Sequence, residues 1–163
     1  MGSIEGIRQG DIPGVQLRRR QDLPLAPADA WRWLTDPEKL THWLASEAEV
    51  DPGPTGGLRL RTGDPPCREH GKTLELVPPG LWVLSFERLD AGWPTATRLT
   101  LRLHTAPGGS QIDILQDGFQ RLPLSIGLTV WEAYRLRWRE ALARLAVVAE
   151  PSPPAPLPQA GEG

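Results

Sequence analysis

The sequence predicts an α+β domain. Its parts are an antiparallel β-meander, a long C-terminal α-helix lying across it, and two short helices after the first strand. Three observations carry this. Between residues 56 and 119, short runs alternate apolar and polar side chains and are separated by Gly/Pro turn signals. From Pro123 to Val148, Leu124, Leu128, Trp131, Trp138, Leu142 and Leu145 recur at helical spacing. Pro27 and Asp36-Pro37 each stand where a helix begins, a proline at the first helical position being pre-set for it.

Val15 to Asp22 reads as the first strand, with Val15 and Leu17 on one face and Arg18 and Arg20 on the other. Arg19 shares the apolar face. A first helix buries Ala30, Trp31 and Leu34. A second, capped by Asp36, carries Leu40, Trp43 and Leu44. After the Gly56-Gly57 loop, Leu58 to Thr62 alternates. A loop holds Pro65, Pro66 and Cys67, then Gly71 to Val77 alternates with Leu74 and Leu76 on one face. Pro78-Pro79-Gly80 turns the chain into Leu81 to Leu89, which puts Trp82, Leu84 and Phe86 on one side. Thr95 to Thr105 sets Leu99, Leu101 and Leu103 against Arg98, Thr100, Arg102 and His104. Pro107-Gly108-Gly109 turns again before the last strand, Gln111 to Phe119. Arg135 interrupts the apolar face of the long helix and is expected to snorkel at its edge.

The chain has 163 residues, which suits one domain. Residues 1–14 are expected to be loose, residues 15–149 to form the domain, and the proline-rich residues 151–163 to be a disordered tail. A net charge of −2 argues against binding driven by phosphate neutralisation, so no nucleic acid is expected. Apolar runs are far shorter than the ~20 residues of a membrane span. No signal peptide is visible, and a cytoplasmic location is expected. A single cysteine, Cys67, excludes an internal disulfide. Seven tryptophans among 163 residues suit either a bulky core or a pocket for flat apolar ligands.

The order of elements and several segments resemble the single-domain bacterial proteins of the Hsp90 ATPase activator homologue family. That family lies within the START-like (SRPBCC), or helix-grip, superfamily. The segments are Ala26-Pro-Ala-Asp-Ala-Trp31, Leu34-Thr-Asp-Pro-Glu-Lys-Leu40 with Trp43, and Gly56-Gly57-Leu58-Arg59. Gly71-Lys-Thr-Leu-Glu75 with Pro78-Pro79, Gly118-Phe119, and Trp138 with Leu142 and Leu145 complete the set. Together they span residues 17–146. One departure stands out: Arg137 occupies the place of the family's usual small residue before the helix tryptophan.

The resemblance implies a curved antiparallel sheet wrapped around the long helix, with a cavity between them for a hydrophobic small molecule. The expected lining is Leu60, Leu76, Trp82, Phe86, Leu101, Leu103, Ile114, Trp131 and Trp138, with Trp43 at the mouth. Two other readings follow from the family: a cochaperone-like protein binding an Hsp90-type ATPase, and a cyclase- or hydratase-like enzyme. Asp113, Asp117, His104, Glu87 and Arg102 lie on strands and could serve such an enzyme, but none is singled out as catalytic. Parity does not say which face of the last strand points inward.

No phosphate-binding glycine loop, dinucleotide fingerprint or G-x-S-x-G elbow is present, and no cofactor is expected. Cys67 and His70 could form half a metal site, but no second pair stands at ligand spacing, so no metal is expected. Arg18 to Arg20, and Arg135, Arg137, Arg139 and Arg144 on the long helix, read as solvated flanks. The sequence leaves the oligomeric state open.

Overall fold

The computed structural model describes residues 9–63 and 66–149. The tail expected at 151–163 and residues 1–8 lie outside the described residues. Seven strands form one antiparallel sheet: β1 (Gln16–Leu23), β2 (Glu47–Asp51), β3 (Gly57–Thr62), β4 (Cys67–Val77), β5 (Leu81–Arg88), β6 (Thr97–Ala106) and β7 (Gly109–Asp117). Strands β2 to β7 follow one another as a meander, and β1 closes on β7, giving the order β1-β7-β6-β5-β4-β3-β2. Helices α1 (Pro27–Thr35) and α2 (Pro37–Leu40) follow β1, and α3 (Leu124–Val148) crosses the inner face. This is the helix-grip arrangement.

Local chemistry accounts for the element boundaries. Pro27 opens α1, and the Asp36 side chain accepts the Glu38 N–H at 2.9 Å to cap α2. Gly118, at φ +93°, turns the end of β7 into a single 3-10 turn before α3. Gly57 and Gly71 lie on paired strands, and a side chain at Gly57 would run into the Gly71 carbonyl.

The inner face carries the residues that alternation selects. Leu17, Leu58, Leu60, Trp82, Leu84, Phe86, Leu99, Leu101, Leu103, Ile112 and Ile114 are all buried against α3 and the short helices. Ile112 and Ile114 are the inward residues of β7, which settles the parity that the sequence left open.

Four expectations need correction. The strand expected at Gly71 begins at Cys67, and a bulge between Thr73 and Glu75 reverses its facing. Leu74 is therefore exposed while Leu76 packs inward. Leu124 and Leu128, expected on the buried stripe of α3, are 98% and 57% exposed, whereas Trp131, Trp138, Leu142 and Leu145 are buried. The part of the loose segment that is described, residues 9–14, is held: Asp11 accepts from the Arg18 N–H at 2.9 Å, and Ile12 bridges Gln16. Finally, β2 was not foreseen. It is a short edge strand in which Glu47, Glu49 and Asp51 face solvent and only Ala48 and Val50 turn to the core, an alternation two apolar residues long.

The arginine run is also not simply solvated. Arg19 is buried, and its guanidinium donates to both oxygens of Asp11 at 2.8 and 2.9 Å. Arg18 donates to Asp113 at 3.0 and 2.6 Å on the outer face. Arg135 does not snorkel: it is buried over the Trp131 ring and paired with Glu132 at 2.8 Å.

A chain of hydrogen bonds crosses the core. Trp138 Nε1 donates to Gln116 Oε1 at 2.8 Å, Gln116 Nε2 to Thr97 Oγ1 at 3.0 Å, and Thr97 Oγ1 to the Phe86 carbonyl at 2.7 Å. Trp138→Phe strands the Gln116 carbonyl oxygen inside the protein. It is expected to lower stability by about 1–3 kcal/mol from that group alone, with the void adding to the loss. Urea unfolding measures this, and a change within about 0.5 kcal/mol, the range of inert surface substitutions, would contradict it.

Burial opposes ionisation of Asp113, but its hydrogen bond with Arg18 and the charges of Arg18 and Arg20 more than offset this and hold the carboxyl below its ordinary value. A depressed carboxylate stabilises the fold above its unfolded pKa of about 3.9 and loses that contribution as pH falls through the folded value. Asp113→Asn should therefore flatten the acid limb below about pH 4. Urea midpoints measured between neutral pH and that acid limb test this, and parallel limbs for the two proteins would refute it.

Candidate functional site

The inner face of β4 is unusual in being polar: parity turns Cys67, Glu69, Gly71 and Thr73 toward α3. On α3, residues 126, 130, 133, 134 and 137 stand at helical spacing and form one stripe facing this strand. Glu69 is buried, and its Oε2 receives both the Tyr134 hydroxyl and Arg137 Nη1. Arg137 Nη2 reaches the Leu44 carbonyl at 3.2 Å and Thr62 Oγ1 at 3.4 Å, tying α3 to β3 and the turn after α2. The Tyr134 ring is held by Phe86 and Trp93, each with centroids 6.0 Å away, and by Phe119 at 6.2 Å.

Beside this cluster lies a cavity of about 220 Å³. Ile126, Val130 and Ala133 of α3 form one wall, and Ala91 and Trp93 of the β5–β6 loop form another. Cys67, Glu69 and Tyr134 supply its floor, with Arg88 and Arg137 at its edges. Arg88 is held by Asp90 at 3.0 Å.

The electrostatics follow from burial. Tyr134 is pushed well above the ordinary phenol range by burial, and the Glu69 carboxylate adds to the shift, so it is a protonated donor at neutral pH. Burial opposes the Arg137 charge, but Glu69 more than offsets it and the guanidinium stays charged. Burial and the neighbouring Glu69 raise the Cys67 thiol.

None of the ten residues expected to line a ligand site lies on this cavity. Trp43, Trp82, Phe86, Ile114, Trp131 and Trp138 fill the packed core together with Leu60, Leu101 and Leu103, and Leu76 packs against its margin. Asp113, Asp117, His104, Glu87 and Arg102 have the outward parity of their strands. There Asp117 pairs with Arg98 at 3.0 Å, and His104 meets Gln111 at 3.1 Å. Cys67 and His70 have opposite parity on β4, so they cannot share a metal. No group of three or more His, Cys, Asp or Glu side chains placed to hold one occurs among the described residues.

The family model described as "Activator of Hsp90 ATPase homolog 1-like protein" matches residues 24–150. The chain belongs to that family. Similar solved structures include protein CV1439 from Chromobacterium violaceum, at 26% identity and a TM-score of 0.69, covering 84% of this chain and 98% of that one. Protein MLL2253 from Mesorhizobium loti is 19% identical with a TM-score of 0.65, covering 81% and 94%. Protein Ms6760 from Mycobacterium smegmatis shares the fold at 12% identity and a TM-score of 0.69, covering 86% and 93%. No curated protein matches the chain significantly. No described helix is long and apolar enough to cross a membrane.

Within this family fold, Arg137 was the departure visible in the sequence, and the structure explains it: its counter-charge is Glu69. Glu69 itself escaped notice, because the strand was read as starting two residues after it. Tyr134, the only tyrosine, and Trp93 were likewise not singled out.

The raised thiol makes Cys67 a slow nucleophile at neutral pH. Iodoacetamide should alkylate it more slowly than glutathione at about pH 7.5, with the rate rising only above the ordinary cysteine pKa of about 8.5. Mass spectrometry of quenched samples gives the rates. Alkylation faster than that of glutathione would show an activated thiol instead.

Proposed function

We propose that this protein binds a small, largely apolar molecule in the cavity between α3, β4 and the β5–β6 loop. The observation behind this is the cavity itself: about 220 Å³ walled by Trp93, Ile126, Val130 and Ala133, beside an interior that tryptophans otherwise fill. Concave, apolar space with a few fixed polar groups is the usual form of a small-molecule site. Its volume lies below the ~300–1,000 Å³ of sites for drug-sized ligands, which favours a one- or two-ring molecule.

Titration with 1-benzothiophene, followed by amide chemical shifts, tests this. Shifts should concentrate at Cys67, Trp93, Val130 and Tyr134 and spare the residues around Trp82 and Trp131. Val130→Phe, which places a larger side chain in the wall, should weaken binding at least tenfold without lowering Tm. Saturation of the wild type with no movement at these four positions would overturn the assignment.

A further inference from the structure

β1 is an edge strand, and its free side borders a second cleft, of about 420 Å³, between the strand and α3. Gly10, Leu142 and four arginines, Arg18, Arg19, Arg20 and Arg139, bound it, and no carboxylate lies among its described lining residues. It shares no lining residue with the apolar cavity. Two of the four guanidinium groups are matched: Arg19 donates to both oxygens of Asp11, and Arg18 holds Asp113 with two bonds. The other two are not. Arg20, with its side chain 54% exposed, reaches only to 3.4 Å from the Asp113 oxygen that Arg18 already holds at 2.6 Å. Arg139 is exposed, and no described residue pairs with it. Four guanidinium charges thus meet two carboxylates, which leaves the cleft with an excess of two positive charges among the described residues.

The main chain of β1 decides what kind of ligand suits this edge. Ile12 and Gln16 exchange both of their main-chain bonds, so the even-numbered residues of β1 turn their N–H and C=O outward, away from β7. Side chains already occupy most of these groups: the Arg18 N–H donates to Asp11 at 2.9 Å, the Arg18 carbonyl accepts from Arg19 at 2.6 Å, and the Asp22 carbonyl accepts from Gln21 at 3.0 Å. An incoming strand finds no continuous ladder to join. The Arg20 N–H has no described partner. We propose that this cleft binds the phosphate group of a small molecule, as free phosphate or a monoester, through the Arg20 and Arg139 side chains and the Arg20 N–H. A phosphate monoester carries about −1.5 to −2 charges near neutral pH, which matches the excess of two. Guanidinium suits it, because its planar fork gives paired N–H donors to phosphate oxygens. The volume falls within the ~300–1,000 Å³ of small-molecule sites and leaves room for an organic remainder.

Titrations of the full chain with inorganic phosphate, ribose 5-phosphate and ribose test this, followed by the shifts of main-chain amides and arginine Nε–H groups. The pH is held at about 7.5 and the ionic strength at about 150 mM, so that general screening stays constant. Both phosphates should saturate with the largest shifts at Arg20, Gln21 and Arg139, and ribose should leave these signals in place. Tighter binding of ribose 5-phosphate than of inorganic phosphate identifies a monoester as the ligand, and the reverse order identifies free phosphate. Arg139→Gln, at an exposed position, should weaken binding at least tenfold without lowering Tm. Arg68→Gln, which removes an exposed arginine of β4 outside the cleft, should leave the affinity unchanged. Shifts that do not saturate and spread evenly over Arg59, Arg68 and Arg139 overturn the site. So do equal binding of ribose and ribose 5-phosphate, and an unaltered affinity in Arg139→Gln.

Discussion

Burying an indole obliges the protein to find an acceptor for its N–H, and this fold meets that demand four times. Trp138 Nε1 donates to Gln116 at 2.8 Å, Trp131 to the Gln16 carbonyl at 2.8 Å, Trp82 to Thr73 Oγ1 at 2.9 Å and Trp43 to the Trp33 carbonyl at 2.9 Å. These bonds join α3 to β7 and β1, β5 to β4, and the turn after α2 to α1. Apolar burial supplies the driving force, which is non-directional. The indole bonds supply direction, because each is made in only one seating of a ring too large to pack elsewhere. The position of α3 on the sheet, and with it everything that α3 presents to β4, depends on these seatings.

The two long sides of α3 meet charged groups in different ways. On one side Arg135 covers Trp131 and pairs with Glu132, while Arg19 holds Asp11 and so fastens the segment before β1. On the other side Arg137 and Tyr134 enclose Glu69. A buried ion pair contributes little net stability compared with apolar packing of the same volume, although breaking one is costly. The Glu69 cluster is thus a poor choice for stability alone. It keeps a polar floor in a region that leucines could have filled, next to the cavity.

Much of the architecture was open to inspection in the chain. The leucines of β6 and the tryptophan, leucine and phenylalanine of β5 alternate because one face of an antiparallel sheet is dry. Asp36-Pro37 caps α2 through a bond two residues long, and such local chemistry does not depend on the rest of the fold. Arg19 was on the apolar face by parity, and its burial follows once Asp11 folds back to meet it. Arg137 stood out against the family pattern but could not disclose its partner, which is 68 residues away in sequence. Leu74 pointed the wrong way because a bulge adds one residue to a period of two, and nothing in Thr73-Leu74-Glu75 announces it.

Composition, alternation and the spacing of the α3 tryptophans were therefore enough for the fold class, the element order and most of the core, since each arises from one strand or helix being dry on one side. The cavity was not among them. Its walls come from residues 67 to 137 on four separate segments, and a void is the space that packed side chains leave, a property of no single residue. The sequence left the tryptophans to either a bulky core or the lining of a pocket. The folded chain uses the expected ones, Trp43, Trp82, Trp131 and Trp138, to fill the interior, and the apolar cavity lies instead beside Trp93 and Tyr134, where the helix, the strand and the loop meet.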